Sequence, residues 1–311
     1  MNKREIVEYL KSKSFVDPNV SKLGQGNNYV VYLVNEKFVL RLSRTDIVAE
    51  NRLENEYIVL KFLEAEGVNF VQQPIFFDSE KSISLLTYLP GREVGLSDLS
   101  DQQLELFVSQ ILSLHSLKYE KYISFCKKNK FLVSAPETFL KHVEIRGVER
   151  FKYVEKNCLE RDLVAWIKPK LKENVKIARR LSLRRGQIVL NHSDLAGSNM
   201  ILNGDKLFFI DWERAKFMYQ TDFTLSHMFI HGACSKSRQE KLISLFAKHS
   251  GQSESSLRKK VNEKMGIMKL NSVIWAVMMF TKMKAEGFKD WRKYRTMTDQ
   301  RIKEYNELEP V

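Results

Sequence analysis

Between residues 20 and 89 the apolar residues fall in short runs, VSKLG, YVVYLV, FVLRL, PIFFD and ISLLTYL, separated by the polar stretches QGNN, NEK and SEKS. Short runs rich in β-branched and aromatic residues and bounded by turn formers predict strands, here joined as an antiparallel sheet. One segment breaks the pattern. In AENRLENEYIVLKFLEAEG, residues 49–67, Ala49, Leu53, Leu60 and Leu63 recur at helical spacing and Gly67 marks the end. Glu56 falls on that apolar stripe, and a carboxylate on a buried face demands a cation. Alternation along FVLRL puts Val39 and Arg41 on one face and Phe38, Leu40 and Leu42 on the other, so Arg41 is the cation expected to meet Glu56.

After LPG at 89–91 the periodicity becomes helical. Ser100 and Gln103 fit a capping box, and Leu104, Phe107, Ile111 and Leu114 form the inward face of the helix that follows. Further helical patterns fill 136–183 and 236–305, and the N-terminal MNKREIVEYLKSK also has helical spacing. The expected fold class is α+β: a small antiparallel β-sheet lobe with one helix over residues 1–89, joined at Pro90 and Gly91 to a larger, mainly helical lobe over 90–311. The strand-like part of that second lobe is VLNHSDLAGSNMILNGDKLFFIDWE, residues 189–213.

This stretch carries the chemistry. NMILN and KLFFID are joined across Asn203 and Gly204, a strong hairpin signal. A hairpin brings the start of one strand beside the end of the other, so Asn199 and Asp211 share one end, with Asp194 in the loop before them. An amide oxygen and a carboxylate at adjacent positions suit Mg²⁺, a hard ion that keeps water and phosphate oxygens as its other ligands. A carboxylate in the preceding loop can accept a hydroxyl proton or orient the hydroxyl for attack. Together these are the parts that phosphoryl transfer requires. In LGQGNNYVVYLV, Gly24 and Gly26, with Asn27 and Asn28, form a strand-to-strand turn whose backbone amides can approach phosphates.

The pattern HxDxxxxN, as His192, Asp194 and Asn199, followed by Asp211 in IDWE, resembles the catalytic and metal-binding loops of the aminoglycoside phosphotransferase and choline kinase family, which has the protein-kinase-like fold. The resemblance runs in patches from about residue 20 to 232. It implies Asp194 as catalytic base, Asn199 and Asp211 as Mg²⁺ ligands and His192 as a loop brace. It also implies ATP or GTP as phosphate donor, Val39 over the purine ring, and Thr87, Tyr88 and Leu89 offering backbone groups to the purine edge. Arg41 stands where lysine is common in the family, and its wider fork keeps its charge. The implied activity is transfer of the γ-phosphate to a small-molecule hydroxyl. Family acceptors include aminoglycosides, choline, ethanolamine, thiamine, homoserine, fructosamines and sugars; the DWE form of the metal segment is closer to the choline, ethanolamine and thiamine kinases.

Charge narrows the acceptor. The chain is 311 residues long with a net charge of +13. Residues 118–185 hold 19 basic and 8 acidic groups, a net of +11, and residues 234–311 hold 17 and 9, a net of +8. The resemblance implies an acceptor pocket built largely from the helices of these two blocks, and walls of that sign would repel polycationic antibiotics and favour an anionic acceptor. Two alternatives remain open at this point: a catalytically silent nucleotide-binding protein of the same fold, and a kinase of a protein or nucleic-acid-associated substrate. Nucleic-acid binding is disfavoured, because the arginine pairs at 179–180 and 184–185 have no aromatic interleaving and no groove-reading motif accompanies them.

His227 and His231, four residues apart without a third ligand, read as packed histidines rather than a metal pair. His115 and Asp222 read as helix architecture, the methionines at 265–283 as packing, and Glu213 as either a supporting charge or a surface residue. Cys126, Cys158 and Cys234 are too far apart in sequence for a zinc or disulfide framework. No apolar run approaches the roughly 20 residues needed to cross a bilayer, and the N-terminus does not read as a secretory signal. The expected location is cytoplasmic.

Overall fold

The computed structural model describes residues 1–25, 29–44, 52–183, 186–195, 199–219, 222–231, 234–289 and 291–307. Gly26, Asn27, Asn28, Ala49, Arg184 and Arg185 lie outside the described residues. The strands are β1 (Val20–Gln25), β2 (Tyr29–Val34), β3 (Phe38–Ser43), β4 (Pro74–Asp78), β5 (Ile83–Thr87), β6 (Arg92–Glu93), β7 (Val189–Asn191), β8 (Met200–Asn203), β9 (Lys206–Phe209) and β10 (Lys216–Met218). The helices are α1 (Lys3–Ser12), α2 (Arg52–Ala65), α3 (Asp101–Ser116), α4 (Tyr119–Lys128), α5 (Phe139–Val143), α6 (Arg150–Asn157), α7 (Arg161–Leu183), α8 (Phe223–His231), α9 (Lys236–Ser250), α10 (Glu254–Ala285) and α11 (Trp291–Asn306). A wide helical turn over Glu144–Glu149 links α5 to α6.

The chain forms two compact units. The first consists of Met1–Gln103, Glu120–Val133 and Asp194–Ala215. Its main sheet, expected to be antiparallel from the short apolar runs, is antiparallel in the order β1-β2-β3-β5-β4. Asn2 caps α1 and accepts from the Glu5 amide at 3.0 Å, while the Glu5 carboxylate accepts from the Asn2 amide at 2.9 Å. That fixes the amphipathic helix whose Ile6, Tyr9 and Leu10 bury against Val20, Val34, Leu40, Leu42, Ile83 and Leu85 on one face of the sheet. Leu40 and Leu42 serve this core, so the residue between them, Arg41, faces the other way.

A second sheet in this unit has the order β6-β8-β9. The hairpin register pairs Asn203 with Lys206, so its turn is Gly204–Asp205, one residue beyond the Asn203–Gly204 pair expected from sequence. Gly204 takes φ +57°, a value that glycine adopts without strain. At the other end of the hairpin the Ile210 amide donates to the Asn199 carbonyl at 3.1 Å, which sets Asn199 beside Asp211. Gly91 precedes β6 with φ +146°, and a Cβ there would lie 2.5 Å from the Leu202 carbonyl oxygen. Only glycine lets the chain pass so close to β8. The Ser100 and Gln103 capping box is formed at the start of α3, at 2.9 and 3.3 Å.

The second unit consists of Leu104–Tyr119, Ser134–Ser193 and Lys216–Val311 and is mostly helical. Its axis is α10, whose Leu270, Val273, Ile274, Val277 and Phe280 pack with Phe151, Val154, Ile167 and Leu171. A neighbouring cluster joins Ile267 and Met268 to Phe139, Val143, Ala178 and Phe223. The two methionines at 265 and 268 are buried packing residues. One strand pair lies here, β10 against β7. Three residues of β10 are too few to show a period, so the sequence pattern alone does not mark it. Lys264, buried, pairs with the buried Asp222. The three cysteines are free and buried, and among the described residues no helix is long and apolar enough to cross a membrane.

Candidate functional site

The first unit contains a cleft of about 630 Å³, and every described residue lining it belongs to that unit. Gly24, Val39, Arg41, Tyr88, Leu89, Asp194, Asn199 and Asp211 all line it. It is therefore bordered by the main sheet on one side and by the β8–β9 hairpin on the other. Ile201 and Ile210 add apolar surface from the hairpin.

Arg41 organises the polar part. It donates from one guanidinium nitrogen to Glu56 Oε1 at 2.5 Å and from another to Asp211 Oδ1 at 2.7 Å, and its guanidinium carbon lies 4.4 Å from the centre of the Tyr29 ring. Glu56 is fully buried on α2 and also accepts from the Trp212 amide at 3.1 Å. Glu56 is not itself part of the cleft lining; it orients Arg41, which is, and ties α2 to the turn after β9. Burial, with Asp211 and Glu213 nearby, pushes the Glu56 carboxyl up from its ordinary value, against the pull of Arg41 and of the Trp212 amide. Burial opposes the charge on Arg41, and Glu56 and Asp211 more than offset it, holding its pKa above the ordinary value.

Asp211 adopts a left-handed backbone, φ 67° and ψ 59°, which turns the chain from β9 into the short helical turn Trp212–Arg214. Aspartate is among the few residue types that accept this region readily. The turn is held from α2 as well: Asn55 Nδ2 donates to the carbonyls of Glu213 and Ala215 at 3.1 and 3.0 Å, and Arg52 donates to Glu213 Oε1 at 3.2 Å. Glu213, open in sequence to two readings, is buried and belongs to the charge network. Burial first, and the neighbouring Glu213 carboxylate second, push the Tyr29 hydroxyl pKa up.

Asp194 and Asn199 share the loop before β8. Asn199 Nδ2 donates to the Asp194 carbonyl at 2.6 Å, which fixes the amide's orientation. Arg214 Nε lies 3.3 Å from Asp194 Oδ2 and 3.5 Å from Glu213 Oε1. Sequence reasoning did not single out Arg214; its place three residues after Asp211 on a turn is the only signal that could have drawn attention to it. Tyr29 and Gln72 also line the cleft without a motif to announce them. Side chains of Asp194, Asp211 and Arg214 remain about 30% exposed, so all three can meet a ligand from the cleft.

The remaining sequence candidates differ in what they contact. Thr87 spends its amide on the Gln73 carbonyl at 2.9 Å, its carbonyl on Gln72 Nε2 at 2.9 Å and its hydroxyl on the Gln73 amide at 2.9 Å. The Tyr88 amide donates to the Lys37 carbonyl at 2.7 Å. Gly24 lines the cleft, and a Cβ there would meet nothing within 4 Å, so space does not demand glycine. His192 is buried in the second unit. There too, His115 is buried with its pKa pushed down to about 4, chiefly by burial, and Asp222 is taken by Lys264. Among the described residues no cluster of three or more His, Cys, Asp or Glu side chains suits a metal ion. Asn199 with Asp211 is instead an amide and carboxylate pair, hard oxygen donors of the kind Mg²⁺ accepts while keeping other ligands.

A model described as the phosphotransferase enzyme family matches residues 20–228. No curated protein matches the sequence. Among solved structures, a choline/ethanolamine kinase family protein from Mesorhizobium loti has a TM-score of 0.73 at 14% identity, covering 99% of this chain and 94% of that one. The GDP and kanamycin complex of APH(2'')-IIia has a TM-score of 0.68 at 15% identity, covering 98% and 97%. ADP-bound aminoglycoside phosphotransferase APH(2'')-Ib has a TM-score of 0.65 at 17% identity, covering 99% and 98%. These likenesses show a kinase-like fold, with the five-stranded antiparallel sheet and the mostly helical remainder described above.

Proposed function

The chain belongs to the phosphotransferase enzyme family, and from that premise we propose that its cleft binds ATP or GTP and that Asp194 directs the γ-phosphate to the hydroxyl of a small molecule. The observation that carries this reading is the convergence of Arg41, Asp194, Asn199 and Asp211 on one 630 Å³ cleft, a volume suited to a nucleotide. ADP and GDP in the two antibiotic-kinase structures support a nucleotide in this chain's cleft.

Val39, Ile201 and Ile210 supply apolar surface for a purine, and Tyr88 and Leu89 supply its edge. Thr87 acts indirectly in this proposal, because its backbone and hydroxyl already hold the segment in place. Arg41, oriented by Glu56, meets the phosphates as a forked donor. Asn199 and Asp211 would hold Mg²⁺, which supplies charge neutralisation on the phosphate oxygens when bound. Arg41 pairs with Asp211 at 2.7 Å; with nucleotide bound, its fork can turn to the phosphates.

Asp194 accepts the hydroxyl proton. The acceptor oxygen forms a bond to the γ-phosphorus, the bond from that phosphorus to the β,γ-bridging oxygen breaks, and the nucleoside diphosphate leaves with that electron pair. Arg214, against Asp194 Oδ2, keeps the carboxylate turned in one direction. The net charges of +11 and +8 over 118–185 and 234–311 favour a neutral or anionic alcohol over a polycation as acceptor. A cytoplasmic location, where nucleoside triphosphates and Mg²⁺ are supplied, is part of the same proposal.

The test is to incubate the protein with Mg²⁺ and ATP, or GTP, and a metabolite pool, and to identify by mass the compound that gains a phosphate. One or a few alcohols are expected to gain it, and Asp194→Ala is expected to slow that gain at least about a hundredfold. An unchanged rate in Asp194→Ala would remove Asp194 from its role.

A further inference from the structure

Outside the cleft, the second unit holds a smaller pocket of about 230 Å³ between the end of α8, the middle of α10 and α11. Two cations reach it, Lys269 from α10 and Arg301 from α11. Both are half-buried, and both donate to backbone carbonyls rather than to a carboxylate. Arg301 donates to the Ser272 carbonyl at 2.8 Å and lies 4.9 Å from the centre of the Trp275 ring; Lys269 donates to the Glu304 carbonyl at 3.0 Å. Burial pushes the Arg301 pKa down. Among the described residues neither cation has a carboxylate within ion-pair distance.

Charges removed from water are ordinarily paired. Glu304 lines the same pocket; its carboxylate accepts from Gln300 Nε2 at 3.0 Å and, from beyond ion-pair distance, partly offsets the effect of burial on Arg301. Among the described residues the pocket therefore has two cations against one acid, with His231 and Gln300 also on its wall. Its volume suits a few heavy atoms and is too small for a nucleotide.

We propose that this pocket binds a small oxyanion, a phosphate or carboxylate group, which adds to the single carboxylate of Glu304 a second counter-charge for Lys269 and Arg301. The occupant bridges α10 and α11, taking hydrogen bonds from the lysine ammonium and the guanidinium fork. This assignment is independent of the cleft and of the reaction proposed there, since its residues come from the second unit alone.

Trp275 provides the readout, because Arg301 lies over its ring. In a proton–nitrogen spectrum of the full-length protein the indole signals of Trp166, Trp212, Trp275 and Trp291 are separable, and Trp275→Phe assigns the one of interest. Inorganic phosphate is titrated at constant ionic strength, with sulfate and acetate in parallel. The Trp275 signal is expected to shift and saturate, with phosphate and sulfate acting together if the occupant is a tetrahedral anion, and acetate alone if it is a carboxylate. Lys269→Gln, at a half-exposed position that leaves the Arg301 packing intact, is expected to raise the midpoint about tenfold, and Arg301→Gln at least as much. A linear, unsaturating shift with all three anions, or an unchanged midpoint in Lys269→Gln, overturns the proposal. Trp212, whose indole lies in the first unit, reports any binding in the cleft separately.

Discussion

Arg41 stands between two carboxylates, so its replacement changes more than one charge. Arg41→Met leaves Glu56 fully buried without its cation, and the loss of stability is expected to reach about 3–5 kcal/mol, read as a lowered urea midpoint. Arg41→Lys keeps a charge but not the fork that reaches Glu56 and Asp211 together. It is expected to retain most of the stability and to weaken nucleotide binding about tenfold by calorimetric titration. Arg214 separates differently. It touches Asp194 and Glu213, and Glu213 keeps Arg52 when Arg214 is gone. Arg214→Met is therefore expected to lower kcat about tenfold while the nucleotide KM stays near its original value. Equal changes in both would mean that Arg214 acts by binding nucleotide rather than by positioning Asp194.

At the scale of elements, Gly91 is the position where one atom decides a strand. An added Cβ at φ +146° would meet the Leu202 carbonyl oxygen at 2.5 Å, so Gly91→Ala is expected to cost about 1–3 kcal/mol in urea unfolding and to loosen β6 from β8. A midpoint equal to that of the parent protein would show that the chain passes farther from β8 than described. The five strands of the main sheet were legible because each is a short run rich in β-branched and aromatic residues set between turn formers. Arg41 and Glu56 were legible as a pair because each broke an apolar pattern in a way that required the other. Asp194, Asn199 and Asp211 were legible because one contiguous hairpin carries them. What sequence did not reveal comes from packing between distant segments. Asn55 holding the carbonyls of Glu213 and Ala215, Arg214 against Asp194, and β10 pairing with β7 have no period or spacing of their own. The hairpin turn lies one residue beyond the Asn-Gly pair because the overlapping Gly204–Asp205 is itself a two-residue turn pair with glycine at its first corner.

For the whole molecule, buried titratable groups set the response to acid. His142, buried beside Glu137 and against Phe139 and Phe223, has its pKa pushed down to about 4, chiefly by burial. His115 is pushed down to about 4 for the same reason. For both, the unfolded chain takes up a proton before the folded one does, so stability falls as pH drops from about 6.5 towards 4. Burial works against the Glu137 charge, and His142 and Lys216 outweigh it, holding its pKa at about 2; its contribution is present above about 4.5 and is lost as pH falls towards 2. Glu56 acts the other way: raised to about 7, it is protonated first in the folded chain, which favours the fold as pH drops from about 7 to 4.5. The urea midpoint is thus expected to change little from pH 7 to 5 and to fall steeply below about pH 4.5. A midpoint that rises between pH 4.5 and 3 would contradict this balance.

The claim on which the functional reading rests is that Asn199 and Asp211 close the cleft around a metal-bound nucleotide. Calorimetric titration with a non-hydrolysable ATP or GTP analogue, with and without Mg²⁺, tests it most directly in the parent protein and in Asp211→Asn. Binding is predicted to require Mg²⁺ in the parent and to weaken at least about tenfold in Asp211→Asn. Binding of equal strength in both proteins, or binding indifferent to Mg²⁺, would contradict it.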